Sequence, residues 1–157
     1  MDRQQMENNY VPSRDDIISS ANNEKVNNLG IPKTNRILLV DDERDITTII
    51  RKGLQQFGFQ VDAFNNPLES LLSFKTNTYD VALLDIRMPQ MNGFALCKKL
   101  KEMDSKMIVC FMTSFEIYET EFKKMFPSYD VKYFIRKPIK VSALAEQLRK
   151  MLRQITS

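Results

Sequence analysis

The sequence predicts an α/β fold in which a doubly wound, five-stranded parallel sheet carries helices on both faces. Three observations support this prediction. Strand-type and helix-type segments alternate from residue 35 onwards, five of each. The segment at 36–40 is an apolar run without alternation, which is typical of a strand covered on both faces. The segment at 141–155 places its apolar residues on one helical stripe. Such alternation indicates parallel strands joined by right-handed crossovers.

Each element is assigned from the spacing of its apolar residues. The predicted strands are 36–40, 60–64, 80–85, 107–113 and 132–136. The predicted helices are 45–57, a second that begins at Pro67, 93–103, 116–126 and 141–155. Gly58 suits the C-terminal cap of the first helix, and Asn66 with Pro67 has the pattern of an N-cap followed by a first-turn proline.

The same spacing predicts which side of each helix faces the sheet. In the first helix these residues are Ile46, Ile49, Ile50, Leu54 and Phe57. In the second helix they are Leu68, Leu71 and Leu72, and in the third Phe94, Cys97 and Leu100. In the last helix they are Val141, Leu144, Ala145, Leu148, Met151, Leu152 and Ile155.

Composition excludes several classes of function. The chain has 157 residues, a net charge of +3, two cysteines and no histidine. The absence of histidine excludes Ser-His-Asp triads and most zinc sites. Cys97 and Cys110 lie in apolar segments, which favours two small buried side chains over a disulfide. We expect no membrane segment, since no apolar run approaches the roughly 20 residues needed, and the polar stretch 1–9 is no signal peptide. Cytoplasmic location is therefore expected.

The chain divides near residue 35. Residues 1–34 are rich in Asn, Ser, Asp and Glu, which predicts a disordered or loosely ordered N-terminal extension. The alternative is an interaction arm, in which 15–21 forms a short docking helix. Residues 35–157 form the predicted domain. Two residues follow the last helix, so we expect no nucleic-acid-binding output domain.

Polar residues follow four of the predicted strands. They are Asp41 and Asp42, Asp85, Thr113, and Lys137. Ligands of doubly wound sheets bind beyond the carboxyl ends of the strands, so we expect these side chains to converge. Three adjacent carboxylates repel one another unless a cation is present, and oxygen ligands favour Mg²⁺ or Mn²⁺. A metal, a lysine and a nucleophilic carboxylate together suit phosphoryl transfer.

With these residues at its strand ends, the sequence resembles the response-regulator receiver family. The motifs that carry the resemblance are ILLVDDE at 37–43, LLDIRMPQMNG at 83–93, MTS at 112–114 and FIRKP at 134–138. Each motif alone is weak, but the four occur in order, each at a strand end, and the resemblance covers 36–155. It implies a flavodoxin-like fold with strand order 2-1-3-4-5.

The resemblance also implies roles for individual residues. Asp85 matches the phosphoacceptor, which also binds the metal. Asp42 matches a direct metal ligand and Asp41 a ligand acting through water. The backbone carbonyl of Arg87 is implied to complete the protein's share of the coordination.

Further residues match the family's switch machinery. Thr113 matches the switch hydroxyl, Phe134 the aromatic switch position, and Lys137 the lysine that contacts the phosphoryl oxygens. The bond between Lys137 and Pro138 is expected to be cis, as in many relatives. Taken singly, Thr113 is equally an ordinary strand residue, Phe134 plain core and Lys137 a solvated surface lysine. The segment 128–133 departs from the family because it lacks the usual small Gly-Ala pair.

The resemblance implies that the protein is a stand-alone response regulator. It is expected to be a phosphoacceptor that assists its own Mg²⁺-dependent phosphorylation and dephosphorylation, and not an enzyme. Its expected partners are a histidine kinase or histidine phosphotransfer protein, an unknown downstream protein, and a second copy bound through the fourth helix, fifth strand and fifth helix. The alternative is a degenerate receiver that binds proteins independently of phosphorylation. A flavodoxin-like cofactor binder is disfavoured, because Asp41 and Asp42 would repel a phosphate.

Overall fold

The computed structural model describes residues 35–114, 118–125, 127 and 134–155. Its strands are β1 (Arg36–Val40), β2 (Gln60–Phe64), β3 (Val81–Asp85), β4 (Ile108–Thr113) and β5 (Phe134–Arg136). Its helices are α1 (Arg44–Gln56), α2 (Pro67–Ser73), α3 (Gly93–Met103), α4 (Tyr118–Met125) and α5 (Val141–Ile155). The strands form one parallel sheet in the order β2-β1-β3-β4-β5, which confirms the predicted fold class and strand order.

The apolar run in β1 reflects burial on both faces of the sheet. Ile37 and Leu39 pack with residues of α1 and α5, whereas Leu38 and Val40 pack with residues of α3 on the opposite face. All four side chains are 0% exposed. Because successive side chains of a strand point to opposite faces, a strand between two helical layers needs apolar residues at every position.

Two helix ends follow the sequence prediction. The side chain of Asn66 accepts a hydrogen bond from the backbone N–H of Leu68 at 2.8 Å, and Pro67 opens α2. At the end of α1, Gly58 adopts a φ of +90°. Its N–H donates to the carbonyl of Gln55, and the next N–H, of Phe59, donates to Leu54, both at 3.1 Å. This pair of bonds is the Schellman arrangement that favours glycine.

The predicted inward faces of the first two helices are partly wrong. Ile49 is 62% exposed, and Leu68 and Leu72 of α2 are 44% and 88% exposed. In α2 the buried positions are instead Pro67 and Ser70. The hydroxyl of Ser70 donates to the carbonyl of Pro67 at 2.6 Å, so this polar side chain is satisfied within its own helix.

Phe57 also differs from its predicted position, since it caps α1 and is 37% exposed. The buried stripe of α1 is narrow and consists of Thr47, Ile50 and Leu54. The predicted stripe is too wide because it includes apolar residues that flank the buried face of the helix. For α3, by contrast, burial of Phe94, Cys97 and Leu100 is confirmed.

Some predictions fall outside the described residues. These are the N-terminal extension at 1–34, the unusual segment 128–133 and the last two residues. Cys97 and Cys110 are both buried and free, as expected. None of the helices in the described part of the chain is both long enough and apolar enough to span a lipid bilayer.

The register of the sheet decides where the strands end. Val40 of β1 lies beside Leu84 of β3, and Asp85 lies beside Met112 of β4. Thr113 in turn lies beside Arg136 of β5. The carboxyl ends of these four strands are therefore level, and the residues that follow them meet at one edge.

Candidate functional site

Three carboxylates meet at this edge of the sheet. Asp41 and Asp42 follow β1, and Asp85 ends β3. Each offers a carboxylate oxygen, and these oxygens lie within 4.8 Å of one another. Asp41 is 0% exposed and Asp85 8% exposed, while Asp42 is half-buried. Such an all-oxygen set fits a hard divalent cation such as Mg²⁺.

Lys137 brings a positive charge into the same cluster. Its ammonium group is hydrogen-bonded to Asp41 Oδ2 and lies 3.7 Å from Asp85 Oδ1. The backbone N–H of Lys137 donates to the carbonyl of Thr113 at 2.8 Å, which ties the end of β5 to the end of β4. The bond between Lys137 and Pro138 is cis, as the resemblance implied.

The positive charge of Lys137 does not balance the negative charge of the three carboxylates. Burial and then the neighbouring Asp41 charge raise the pKa of Asp85 to about 6, against the opposing effects of Lys137 and a hydrogen bond from the backbone of Ile86. Burial lowers the pKa of Lys137, but the hydrogen bond and charge of Asp41, with Asp85 behind it, outweigh burial and raise it. One lysine therefore does not neutralise the three carboxylates, and a second cation would stabilise the site.

Asp41 is fixed by hydrogen bonds to its backbone N–H, its carbonyl and its side chain. The Asp41 N–H donates to the carbonyl of Phe64 at 3.1 Å, and its Oδ1 accepts from the Glu43 N–H at 3.0 Å. The side-chain amide of Asn65 donates to the Asp41 carbonyl at 2.9 Å and to Thr47 Oγ1 at 2.8 Å. Sequence reasoning missed Asn65 and Thr47. A signal existed, since Asn65 directly follows β2 at the same edge.

The loop from β3 to α3 folds back on the end of β3. The Gly93 N–H donates to the Ile86 carbonyl at 2.8 Å. A Cβ on Gly93 would lie 3.0 Å from the carbonyl carbon of Asp85 and closer still to its oxygen, so this position requires glycine. Arg87 lies in this loop with its side chain exposed, and the role of its carbonyl stays a prediction.

Thr113 and Phe134 occupy the positions that the resemblance assigned to the switch. Thr113 ends β4 and is buried. Phe134 is half-buried, with its ring centroid 5.3 Å from that of Phe111, which meets Phe94 edge-on at 5.2 Å. These three rings form one row across β5, β4 and α3, so Phe134 belongs to the core in this conformation. The switching roles of both residues stay predictions.

The structure thus brings together four of the predicted site residues, Asp41, Asp42, Asp85 and Lys137. Thr113 is joined to this group through the backbone of Lys137. The acidic group and the lysine have the chemistry of a site for a divalent cation and an anionic ligand.

Comparison with known proteins identifies the family of the chain. A sequence model of the response regulator receiver domain matches residues 37–149. The chain is 30% identical over 122 residues to the transcriptional regulatory protein PcoR of Escherichia coli, covering 78% of this chain and 53% of PcoR. It is 28% identical over 119 residues to the response regulator ArlR of Staphylococcus saprophyticus, covering 76% and 53%. The chain spans about half the length of these curated relatives.

Solved structures show the same fold. A CheY-like receiver domain protein from Methanospirillum hungatei JF-1 superposes with a TM-score of 0.66 at 23% identity, covering 78% of this chain and 96% of that one. The non-phosphorylated HemR receiver domain from Leptospira biflexa gives a TM-score of 0.67 at 23% identity, covering 76% and 94%. Since the family's sequence model matches most of the chain, the protein belongs to the response regulator receiver family of two-component systems.

Proposed function

We propose that this receiver domain accepts a phosphoryl group on Asp85 in a Mg²⁺-dependent reaction. The observation that carries the proposal is Lys137, which lies against both Asp41 and Asp85 inside a cluster of three carboxylates. A half-buried lysine in that position can stabilise the negative charge of a phosphoryl group on Asp85. The proposed donor is a histidine kinase or a histidine phosphotransfer protein, and the proposed location is the cytoplasm.

In the proposed reaction, an ionised oxygen of Asp85 attacks phosphorus, and the bond from phosphorus to the donor's imidazole nitrogen breaks. Asp41, Asp42, Asp85 and the carbonyl of Arg87 are the proposed metal ligands, with water at the remaining positions. Bound Mg²⁺ would stabilise the negative charge on the transferred group. The hydrogen bond to Asp41 holds Lys137 beside the reacting carboxylate.

We further propose that phosphorylation acts through Thr113 and Phe134. Thr113 would move onto the phosphoryl group, and Phe134 would turn further inward, as a shift between two existing conformations. Phe134 begins β5, and Thr113 lies beside Arg136 of the same strand. The proposed signalling face consists of α4, β5 and the start of α5. These segments carry four exposed basic residues, Lys123, Lys124, Arg136 and Lys140. An acidic partner surface or a second copy of the protein is its proposed target.

The direct experiment is phosphorylation by a small donor. The purified protein is incubated with acetyl phosphate, with and without Mg²⁺, and intact mass spectrometry follows the added phosphoryl group. Asp85→Asn should abolish labelling, because a neutral amide is not a usable nucleophile here. Asp45→Asn is the matched control, since Asp45 is an exposed acid in the first turn of α1.

The outcomes separate the proposal from its alternative. Mg²⁺-dependent labelling of the wild type and of Asp45→Asn, but not of Asp85→Asn, would support a functional phosphoacceptor. Full labelling of Asp85→Asn would refute the assignment of Asp85. No labelling and no Mg²⁺ binding by the wild type would favour the degenerate receiver that binds proteins independently of phosphorylation.

A further inference from the structure

The side chain of Asn65 connects three elements beside the acidic cluster. Asn65 follows β2. Its amide nitrogen lies 2.9 Å from the carbonyl oxygen of Asp41, after β1, and 2.8 Å from the hydroxyl of Thr47, in α1. Both partners are buried, with Asp41 at 0% and Thr47 at 3% exposed.

Hydrogen-bond chemistry fixes the direction of these contacts. A backbone carbonyl accepts but cannot donate, so the Asn65 atom that faces Asp41 must be the NH₂ group. The hydroxyl of Thr47 donates to the carbonyl of Arg44 at 3.0 Å, which leaves its oxygen free to accept from Asn65. Both amide hydrogens of Asn65 are therefore used, and an isosteric carboxylate could not replace them.

The anchored carbonyl determines where the next residue begins. The peptide that joins Asp41 to Asp42 is planar, so holding its oxygen also fixes its N–H and the direction in which the Asp42 backbone departs. The Asp41 side chain is fixed separately, by the Glu43 N–H and by Lys137. The described contacts thus anchor Asp41 through both its side chain and its carbonyl, whereas Asp42 receives its placement through the peptide.

We infer that Asn65 is a positioning residue for the metal site, and that with Thr47 it orients the Asp41–Asp42 peptide so that both carboxylates converge with Asp85. The inference rests on the proposed function for its consequence, which is the affinity for Mg²⁺. Its structural part concerns the metal-free protein and stands on the hydrogen bonds alone.

The neighbouring Asn66 provides a matched control. Both asparagines are half-buried and both lie in the loop between β2 and α2. Asn66 accepts from the Leu68 N–H as the N-cap of α2 and serves a different element. Asn65→Ala and Asn66→Ala each remove one asparagine side chain from the same loop, and each should lower the melting temperature. Only Asn65→Ala removes a bond to the acidic segment.

Two measurements test the inference on the full chain. Calorimetric titration with Mg²⁺ should show roughly tenfold weaker binding for Asn65→Ala, the lower end of what loss of a residue supporting metal ligands costs. Asn66→Ala should bind Mg²⁺ within about twofold of the wild type. In metal-free buffer, hydrogen exchange at the Glu43 N–H, relative to that of Leu39 in the core, should accelerate in Asn65→Ala and not in Asn66→Ala.

The inference is overturned if Asn65→Ala and Asn66→Ala change Mg²⁺ affinity and relative exchange at Glu43 equally. If Asn65→Ala does not fold, Thr47→Val removes the second partner while keeping the side-chain volume, and it should show the same two changes at smaller size. If Thr47→Val then leaves both the Mg²⁺ affinity and the relative exchange at Glu43 unchanged, the inference is refuted. If the wild type binds no Mg²⁺, the proposed function fails, and exchange at Glu43 still decides whether Asn65 positions the segment.

Discussion

Replacing Gly93 with alanine should damage both the stability of the domain and the proposed phosphoacceptor site. The new Cβ would lie 3.0 Å from the carbonyl carbon of Asp85 and from Cα of Ile86, and closer still to the Asp85 oxygen. These neighbours are backbone atoms, so no flexible side chain can move aside. Overpacking by one methyl group costs about 1–3 kcal/mol, and the rigid surroundings favour the upper end. For a domain of this size that corresponds to a melting temperature lower by roughly 5–15 °C.

Gly58→Ala is the control for Gly93→Ala. A Cβ on Gly58 meets no atom within 4 Å, but its φ of +90° disfavours a side chain. Gly58→Ala should therefore cost about 1–2 kcal/mol through backbone strain alone. Thermal unfolding and acetyl phosphate labelling are measured for both variants. Gly93→Ala should lose labelling at temperatures where it is still folded, and Gly58→Ala should keep it. Normal labelling of a folded Gly93→Ala would refute the argument that this close approach shapes the site.

Three further predictions concern other parts of the domain. A Cβ on Gly53 would lie 3.0 Å from Cβ of Val141 and closer to one of its methyl groups, so Gly53→Ala should destabilise the α1–α5 contact by about 1–3 kcal/mol. Adding Val141→Ala to Gly53→Ala should recover part of the free energy of unfolding measured in urea. If the losses of the two single variants simply add in the double variant, the predicted close contact between Gly53 and Val141 is contradicted. Burial and a hydrogen bond to Asp62 raise the pKa of Tyr79 to about 12, so wild-type stability should fall as the pH rises from 10 to 12, and this loss should be absent in Tyr79→Phe. Millimolar Mg²⁺ should raise the melting temperature of the wild type, and Asp42→Ala should abolish this rise; an undiminished rise would exclude Asp42 from the proposed metal site.

The sign of the Tyr79 prediction follows from the neutral phenol. The folded state retains the proton up to a pH near 12, whereas an unfolded tyrosine loses it near 10. Ionisation therefore favours unfolding within this window, and the stabilisation is fully present below pH 10. A shift of two pKa units corresponds to about 3 kcal/mol at most. Comparing the stability of the wild type with that of Tyr79→Phe at each pH removes the contribution of lysines, which titrate in the same pH range.

The fold could be predicted because its signals are local and repeated. An apolar run such as Ile37–Val40 needs two covering layers, and the alternation with helices leaves few topologies. The exposed side chains could not be predicted in the same way. Leu72 is apolar and at helical spacing, yet it is 88% exposed, because α2 is short and contacts the core through Pro67, Ser70 and a half-buried Leu71. Spacing alone does not tell how wide a buried stripe is.

The acidic residues of the site could be predicted because charge makes them conspicuous beside an apolar strand. Asp41 and Asp85 each follow such a run, and neither has an obvious structural use at that point. Thr47 could not be found in this way, since a threonine within an amphipathic helix matches many surface positions. Its contribution depends on a hydrogen bond across 18 residues of sequence, and only the packing of α1 beside β2 brings the two groups together.

At this one edge, each of the five strands ends in, or is directly followed by, a residue of the site or of its support. Asp41 follows β1, Asn65 follows β2, Asp85 ends β3, Thr113 ends β4 and Lys137 follows β5. Parallel strands in register place these ends at one edge, so the sheet itself sets the spacing of the site. Asn65 carries no charge and binds no ligand in the proposed reaction, yet its position directly after β2 corresponds to that of Asp41 after β1 and of Lys137 after β5. The principle that polar residues at the carboxyl ends of parallel strands meet at one edge therefore identifies Asn65 as well as the charged residues, once the end of every strand is considered.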